Sequence, residues 1–264
     1  MAEMLPGFTF TGTIANIVAY KRKGSDRIFL RSKGGPSKSR IKTHPKFEVT
    51  RRNNFEFGGR STAVKWIMKM FYSQKALADY NVAGYLNALI KPIQALDTES
   101  EHGQRNIYFT KNPKLLEGFN LNKQNPFDSI VRYPLTCSVS RDTISARIDI
   151  PALKPGINFF VPGRYPMFSF VASLGMMPDL IYKDKGYKLS NNYEAAFPIG
   201  KVTEWFACMK GSPALSMELR SEHIPPGNDY SLMLSIGIRF GTMDTADSVQ
   251  QIKHAGAAKV LRME

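Results

Sequence analysis

The feature that most constrains the fold is a repeated alternation of apolar and polar residues in the second half of the chain. Three segments show it over seven or more residues: 131–139 (VRYPLTCSV), 144–150 (ISARIDI) and 230–240 (YSLMLSIGIRF). Successive side chains of a β-strand point to opposite faces, so this period of two predicts strands with one apolar face each. Turn sequences such as Arg141-Asp142 and HIPPGND separate the strands. This pattern favours an antiparallel, immunoglobulin-like sandwich with one solvated face on each sheet.

Residues 45–93 instead follow a helical period. Apolar residues recur there at steps of three and four, which predicts a first helix, either continuous or broken at Gly58-Gly59. Its packed part should cover about residues 62–74. A second helix is predicted at residues 82–93, with Pro92 kinking or ending it. Two successive amphipathic helices form a helical hairpin, so another surface must cover their apolar stripe.

The N-terminal segment at residues 8–35 predicts a β-hairpin. Ile14, Val18 and Tyr20 fall on one face of an alternating run, and the KGSD sequence at residues 23–26 supplies the turn. The alternation resumes after that turn and ends at a Gly-Gly-Pro sequence.

These segments predict an α+β, mainly β fold in three parts. Residues 1–96 form a basic N-terminal hairpin with two helices, residues 97–128 a connecting segment with one or two short elements, and residues 129–264 an antiparallel β-sandwich domain. The last residues, 254–264 (HAGAAKVLRME), are expected to close a sheet as an edge strand.

The cysteines and the first residues bear on the compartment. Cys137 and Cys208 are far apart and lie in apolar, strand-like runs, so we expect buried free thiols rather than a metal or redox motif. The opening MAEMLPGFTFTG lacks a positively charged start and a continuous apolar stretch, and no later window is apolar enough to span a membrane. These patterns predict a cytoplasmic protein, or one released by a route other than ordinary secretion, with no membrane partner.

Positive charge is concentrated near the N-terminus. The formal net charge is +14, and residues 21–75 alone contain 16 Lys or Arg against three Asp or Glu. Local carboxylates cannot neutralise this excess, so the segment should present a strong positive field that attracts polyanions. The predicted nucleic-acid-binding residues are Lys21, Arg22, Lys23, Arg27, Arg31, Lys33, Lys38, Arg40, Lys42, Arg51, Arg52 and Arg60. Acidic proteins, lipid headgroups and solubility alone remain open as explanations.

Aromatic residues lie among these charges. Phe47, Phe55 and Phe57 could stack on unpaired bases, although phenylalanine at helical spacing more often belongs to a core.

Motifs for catalysis, metals and cofactors are missing from the sequence. There is no phosphate-binding G-x-x-x-x-G-K-[ST], no G-x-G-x-x-G, no H-E-x-x-H and no G-x-S-x-G. The four histidines, His44, His102, His223 and His254, are not spaced as metal ligands of one element. We therefore expect a non-enzymatic protein without a cofactor. An enzyme or small-molecule binder would require a deep pocket with several convergent polar groups on the sandwich loops.

Three N-terminal motifs carry a resemblance to a known family. The matching stretches are Gly12–Tyr20 (GTIANIVAY), Arg31–Lys42 (RSKGGPSKSRIK) and Thr50–Gly58 (TRRNNFEFG). They resemble the opening of a Bacteroidetes protein family with no established activity, and LSIGIRFGTM followed by IKHAGAAKVL is similar to its ending. The resemblance implies a lineage and a domain plan that span nearly the whole chain, but no catalytic residues.

Two functions follow as expectations. The first is a binding protein that holds a polyanion, nucleic acid above all, through the basic N-terminal segment. The alternative is a structural or assembly protein, a homo-oligomeric or virion-like component with no nucleic-acid role.

Overall fold

A computed structural model of the chain describes residues 2–3, 10–245 and 248–264. The chain divides into two compact units, an N-terminal unit (Met1–Arg51) and a C-terminal unit (Arg52–Glu264). The α-helices are α1 (Lys38–Thr43), α2 (Glu48–Met70), α3 (Val82–Ala95) and α4 (Phe127–Ile130). Short 3₁₀ helices lie at Pro45–Phe47, Tyr72–Leu77 and Pro113–Leu116.

The strands of the N-terminal unit are β1 (Ala2–Glu3), β2 (Gly12–Ile14), β3 (Ile17–Lys21) and β4 (Ile28–Ser32). Those of the C-terminal unit are β5 (Thr136–Ser140), β6 (Ser145–Ile150), β7 (Met167–Pro178), β8 (Leu180–Lys183), β9 (Gly186–Leu189), β10 (Ile199–Val202), β11 (Phe206–Ala207), β12 (Leu215–Arg220), β13 (Tyr230–Met243) and β14 (Val249–Met263). The α+β, mainly β class is confirmed.

The N-terminal unit is built on an antiparallel sheet of order β1-β4-β3-β2. The predicted hairpin is present as β3 and β4, although residues 8 and 9 of the predicted segment lie outside the described residues. An additional reversal at Ala15, whose φ is 49°, joins β2 to β3 and pairs Ile14 with Ile17. Paired residues share a face, so Ile14 lies opposite Val18 and Tyr20, and the prediction that these three share a face is wrong for Ile14.

The described strands of the C-terminal unit form three antiparallel sheets, which are a central sheet, a smaller sheet and the two-stranded sheet β8-β9. Antiparallel pairing in this part of the chain was predicted. The central sheet has the order β10-β7-β13-β14 with β11 also paired to β7, and the smaller sheet has the order β12-β6-β5. The Arg141-Asp142 turn joins β5 to β6, and β14 lies at an edge of the central sheet. Both features were predicted.

Both faces of the central sheet are buried. Phe168 and Phe170 share one core with Ile148 of the small sheet, whereas Val171 packs on the other face with Ile67 of α2. The prediction of one solvated face on each sheet is therefore wrong for the central sheet, because the helices cover it. It holds for the small sheet, where buried and exposed residues alternate along β12.

Residues 97–128 belong to the core of the C-terminal unit. They contain the 3₁₀ turn at Pro113–Leu116 and the start of α4, as expected for a segment with one or two short elements. However, Ile107 and Phe109 are fully buried in the same cluster as the helices. The observed division at Arg51 differs from the predicted divisions at residues 96 and 128 because these apolar contacts join helices, connection and sheets.

Helix α2 is continuous through Gly58-Gly59. Gly58 has no neighbour within 4 Å of the place where a Cβ would lie, whereas a Cβ on Gly59 would lie 2.7 Å from Cδ1 of Tyr187. Gly59 therefore permits close contact between the helix and an aromatic ring rather than a break. Pro92 likewise lies inside α3, which continues to Ala95.

These two adjacent glycines should respond oppositely to alanine. Gly58→Ala should raise the free energy of unfolding by up to about 1 kcal/mol, because alanine is the better helix former. Gly59→Ala should lower it by about 1–3 kcal/mol, because the hydroxyl of Tyr187 donates to the carbonyl of Arg105 and holds the ring in place. Urea unfolding of both variants measures the difference. Stabilisation by both substitutions would contradict the contact between Gly59 and Tyr187.

The two free thiols differ in burial. Cys208 is buried as predicted, and burial raises the pKa of its thiol to about 11, whereas Cys137 is only half-buried. Within the described residues, no helix combines the length and apolar character needed to cross a lipid bilayer.

Candidate nucleic-acid interface

Nine of the twelve predicted binding residues are exposed in the N-terminal unit. They are Lys21, Arg22, Lys23, Arg27, Arg31, Lys33, Lys38, Arg40 and Lys42. Lys21 ends β3, and Arg22, Lys23 and Arg27 lie between β3 and β4. Arg31 is on β4, Lys33 directly follows this strand, and the last three lie in α1. The structure therefore places these nine charges in one compact unit, at the surface.

Few carboxylates accompany these charges. Residues 1–51 contain eleven Lys or Arg and only three Asp or Glu, namely Glu3, Asp26 and Glu48. In the described part of the chain, no ion pair involves the six side chains Lys21, Lys23, Lys33, Lys38, Arg40 and Lys42. The unit therefore carries a net positive field that internal pairing does not cancel.

Helix α1 presents its basic residues without burying any side chain. Ser37 caps it by accepting a hydrogen bond from the backbone N–H of Arg40. Lys38 and Lys42 are four residues apart and lie on the same side of the helix. No acidic residue lies in this helix, so all of its charged side chains are basic.

The outer face of the N-terminal sheet carries an aromatic pair that the sequence analysis did not select. Tyr20 on β3 and Phe29 on β4 are directly opposed in the register, with ring centroids 6.0 Å apart. The guanidinium carbon of Arg22 lies 4.4 Å from the centroid of the Phe29 ring, and that of Arg31 lies 5.6 Å from the Tyr20 ring. We call these four residues the aromatic face. An aromatic residue followed two positions later by arginine occurs on both strands, and this repeated spacing is the signal that could have identified it.

The other three predicted residues are half-buried and have partners within the protein. The Nη1 atom of Arg51 donates to the carbonyl oxygens of Ile41 and His44, at 2.9 and 3.0 Å, and so holds the end of α1. Arg60 donates to Oε1 of Gln94 at 2.7 Å, and burial lowers its pKa. Arg52 also has an interaction partner, as do Arg22 and Arg27 among the exposed residues. Arg51 and Arg60 hold other parts of the protein, so the proposal below depends on the nine side chains that are exposed.

The three phenylalanines selected from the sequence have mixed positions. Phe47 is half-buried and meets the ring of His44 edge-on at 6.2 Å. Phe55 and Phe57 are exposed on α2 in the C-terminal unit, where Arg60 lies 5.9 Å from the Phe57 ring. Their stacking on bases stays a prediction.

Two cavities of the C-terminal unit are large enough to admit a small molecule. One of about 550 Å³ is mainly apolar, with Phe159, Phe160 and Tyr165 in its wall. The other, of about 400 Å³, is bordered by Tyr85 and Lys123. Neither cavity contains a histidine or a pair of carboxylates in its lining. They therefore offer no acid–base pair that would indicate a reaction.

Comparisons with known proteins assign the chain to no family. No family model, curated protein or solved structure matches the chain. The resemblance to the Bacteroidetes family and the likeness to immunoglobulin domains therefore stay predictions. Among the described residues, no three His, Cys, Asp or Glu side chains are grouped so that they could hold a metal ion.

Proposed function

We propose that the protein is a non-enzymatic binding protein that holds nucleic acid through the basic surface of its N-terminal unit. The observation that carries this proposal is the set of nine exposed lysines and arginines in a unit with only three acidic residues. The aromatic face adds a second kind of contact to the same unit.

The expected binding energy comes mainly from phosphates. Each lysine or arginine that contacts a phosphate releases condensed counterions, so the affinity should fall steeply as salt rises. Engagement of most of the nine side chains would give a slope of log K against log salt of about −6 to −8 on duplex DNA. A surface held together by internal ion pairs would show a much weaker dependence.

A second candidate function is assembly into a homo-oligomer or a larger structural particle. It is favoured by Ile14 and Ile17, which are paired across β2 and β3 and are 56% and 49% exposed. Contiguous exposed apolar surface is a feature of protein–protein contacts, and this pair would form part of such a surface. This function predicts a defined oligomer that nuclease treatment does not change.

The ratio of absorbance at 260 and 280 nm separates the two functions. Protein purified at low salt should carry nucleic acid, so its ratio should fall after nuclease treatment and a high-salt wash. Light scattering before and after nuclease then reports the oligomeric state. A low ratio from the start, together with a nuclease-resistant oligomer, would favour assembly instead.

Charge reversal in the β3–β4 turn should weaken binding selectively. We expect Lys21→Glu with Lys23→Glu to reduce the affinity for a labelled oligonucleotide by about tenfold to hundredfold at low salt, and to reduce the salt slope by about two. Fluorescence anisotropy across a salt series measures both quantities. Both lysines are exposed, so the substitutions should leave the fold intact.

The matched control changes the same number of charges in another hairpin. Lys183 and Lys185 are exposed at the β8–β9 turn of the C-terminal unit, and Lys183→Glu with Lys185→Glu alters the net charge equally. This control should change affinity less than threefold. Equal losses in both variants would mean that net charge alone, rather than the N-terminal surface, explains binding.

A further inference from the structure

The aromatic face of the N-terminal sheet has the chemistry of a platform for unpaired bases. We infer that the preferred ligand is single-stranded nucleic acid, whose bases stack on Tyr20 and Phe29. This inference rests on the proposed function and specifies its ligand. The two rings are cross-strand neighbours 6.0 Å apart, and each has a guanidinium within 5.6 Å of its centroid.

Burial indicates which face of this sheet is the outer one. Ala19 and Ile28 alternate with the aromatic residues along β3 and β4 and are buried, at 2% and 8% exposure. Tyr20 and Phe29 are only half-buried, and the arginines beside them are exposed. Ala19 and Ile28 are therefore covered on one side of the sheet, whereas the opposite side, which carries the two rings, is partly exposed.

The arginines extend the stacking surface and add charge. A guanidinium is planar, stacks on aromatic rings and also stacks on bases. Arg22 and Arg31 therefore allow the same face to contact both a base and the phosphate next to it. Lys23 follows Arg22 along the chain and is exposed, so it can contact a further phosphate.

A duplex cannot use this face in the same way. The flat faces of paired bases are covered by their neighbours in the stack, so a protein ring reaches them only after unstacking. Unpaired bases can be splayed out onto aromatic side chains, and every base has a face suited to such stacking. The expected preference is therefore for single strands with weak dependence on sequence.

The test compares ligands that share phosphate charge but differ in accessible bases. Fluorescence anisotropy would measure binding of a labelled 20-nucleotide single-stranded DNA, the same length of single-stranded RNA, and a 20-base-pair duplex. Inorganic polyphosphate would serve as a competitor without bases. Single strands should bind at least tenfold more tightly than duplex at the same salt concentration, and polyphosphate should compete weakly.

Tyr20→Leu with Phe29→Leu removes the rings but keeps apolar bulk. This variant should bind single strands about tenfold to hundredfold more weakly. Its affinity for duplex and its salt slope should be unchanged, because the charges remain. Tyr72→Leu with Phe197→Leu is the matched control, since both rings are exposed in the C-terminal unit, and it should bind as the parent does.

The outcomes separate the inference from the proposed function. If the parent binds none of these polyanions, the proposed function fails. If the parent binds duplex or polyphosphate as tightly as single strands, or the Tyr20/Phe29 variant keeps the parent's affinity, only the inference is overturned.

Photo-cross-linking of the unaltered protein tests the inference without the variant, and so applies even when the variant does not fold. Halogenated pyrimidines in the single strand should cross-link to peptides that contain Tyr20 or Phe29. Cross-links confined to the C-terminal unit would overturn the inference.

Discussion

Glu56→Gln should lower the free energy of unfolding of the C-terminal unit by about 3–5 kcal/mol. The carboxylate of Glu56 accepts hydrogen bonds from Nε and Nη2 of Arg105, at 2.6 and 2.7 Å, and from the backbone N–H of Gly103 at 3.0 Å. Its side chain is only 4% exposed, and Arg60 lies 3.9 Å away. Glutamine would leave two guanidinium groups without their negative partner in a poorly solvated site. Urea unfolding at neutral pH measures the loss.

The stabilisation that Glu56 provides should depend on pH. Burial alone would raise the pKa of Glu56 above its ordinary value of 4.5, but the hydrogen bonds from Arg105 and Gly103 and the charges of Arg105 and His102 outweigh burial and lower it. A carboxyl with a lowered pKa in the folded state stabilises that state at every pH above its unfolded pKa. This stabilisation is lost as the pH falls below about 4.5 and through the folded pKa. The parent and the Glu56→Gln variant should therefore converge in stability at acidic pH.

An exposed ion pair provides the control for this prediction. Glu218 accepts a hydrogen bond from Nη1 of Arg147 at 3.0 Å, but both side chains are more than half exposed. Glu218→Gln should change the free energy of unfolding by no more than about 0.5 kcal/mol, because surface pairs contribute little. Equal effects of the two substitutions would show that the Glu56 network does not stabilise the unit.

The alternation of apolar and polar residues predicted the strands, but it did not indicate that the second face of the central sheet is also buried. Ser173 on β7 occupies a position that looks solvated in an alternating pattern. In the structure it is buried, and its hydroxyl donates to the carbonyl of Met70 at 2.8 Å. Gln74 is also buried, and its Nε2 donates to the carbonyl of Val171. Such polar side chains look solvated in sequence because their hydrogen-bond partners lie far away along the chain.

The candidate interface shows a similar limit. Charge density identified the nine exposed lysine and arginine residues, because a local excess of these residues can be counted without a structure. It could not separate these from Arg51 and Arg60, whose partners become visible only in three dimensions. The alternation around Tyr20 could not show which face is buried, since Ala19 and Tyr20 are both apolar enough for a core. The aromatic face therefore required the register of β3 and β4.

Gly256→Ala should destabilise the C-terminal unit by at least about 4 kcal/mol or prevent it from folding. Gly256 has a φ of +136°, which residues with a side chain rarely adopt, and this alone costs about 1–3 kcal/mol. In addition, a Cβ would lie 2.2 Å from the carbonyl oxygen of Ile238 and 3.0 Å from Cδ2 of Leu77. The first contact is with the backbone of β13, so no side-chain rotation can relieve it. Strand β14 would have to move away from β13, its partner in the central sheet.

The control for Gly256 is a strand glycine without close neighbours. Gly186 begins β9, has no positive φ and has nothing within 4 Å of a Cβ position. Gly186→Ala should therefore change the free energy of unfolding by less than about 1 kcal/mol. Far-UV circular dichroism and thermal unfolding would compare the two variants with the parent. A Gly256→Ala protein with the parent's unfolding midpoint would mean that β13 and β14 do not approach each other as closely at this position as the structure places them, because an added methyl group cannot fit 2.2 Å from a carbonyl oxygen.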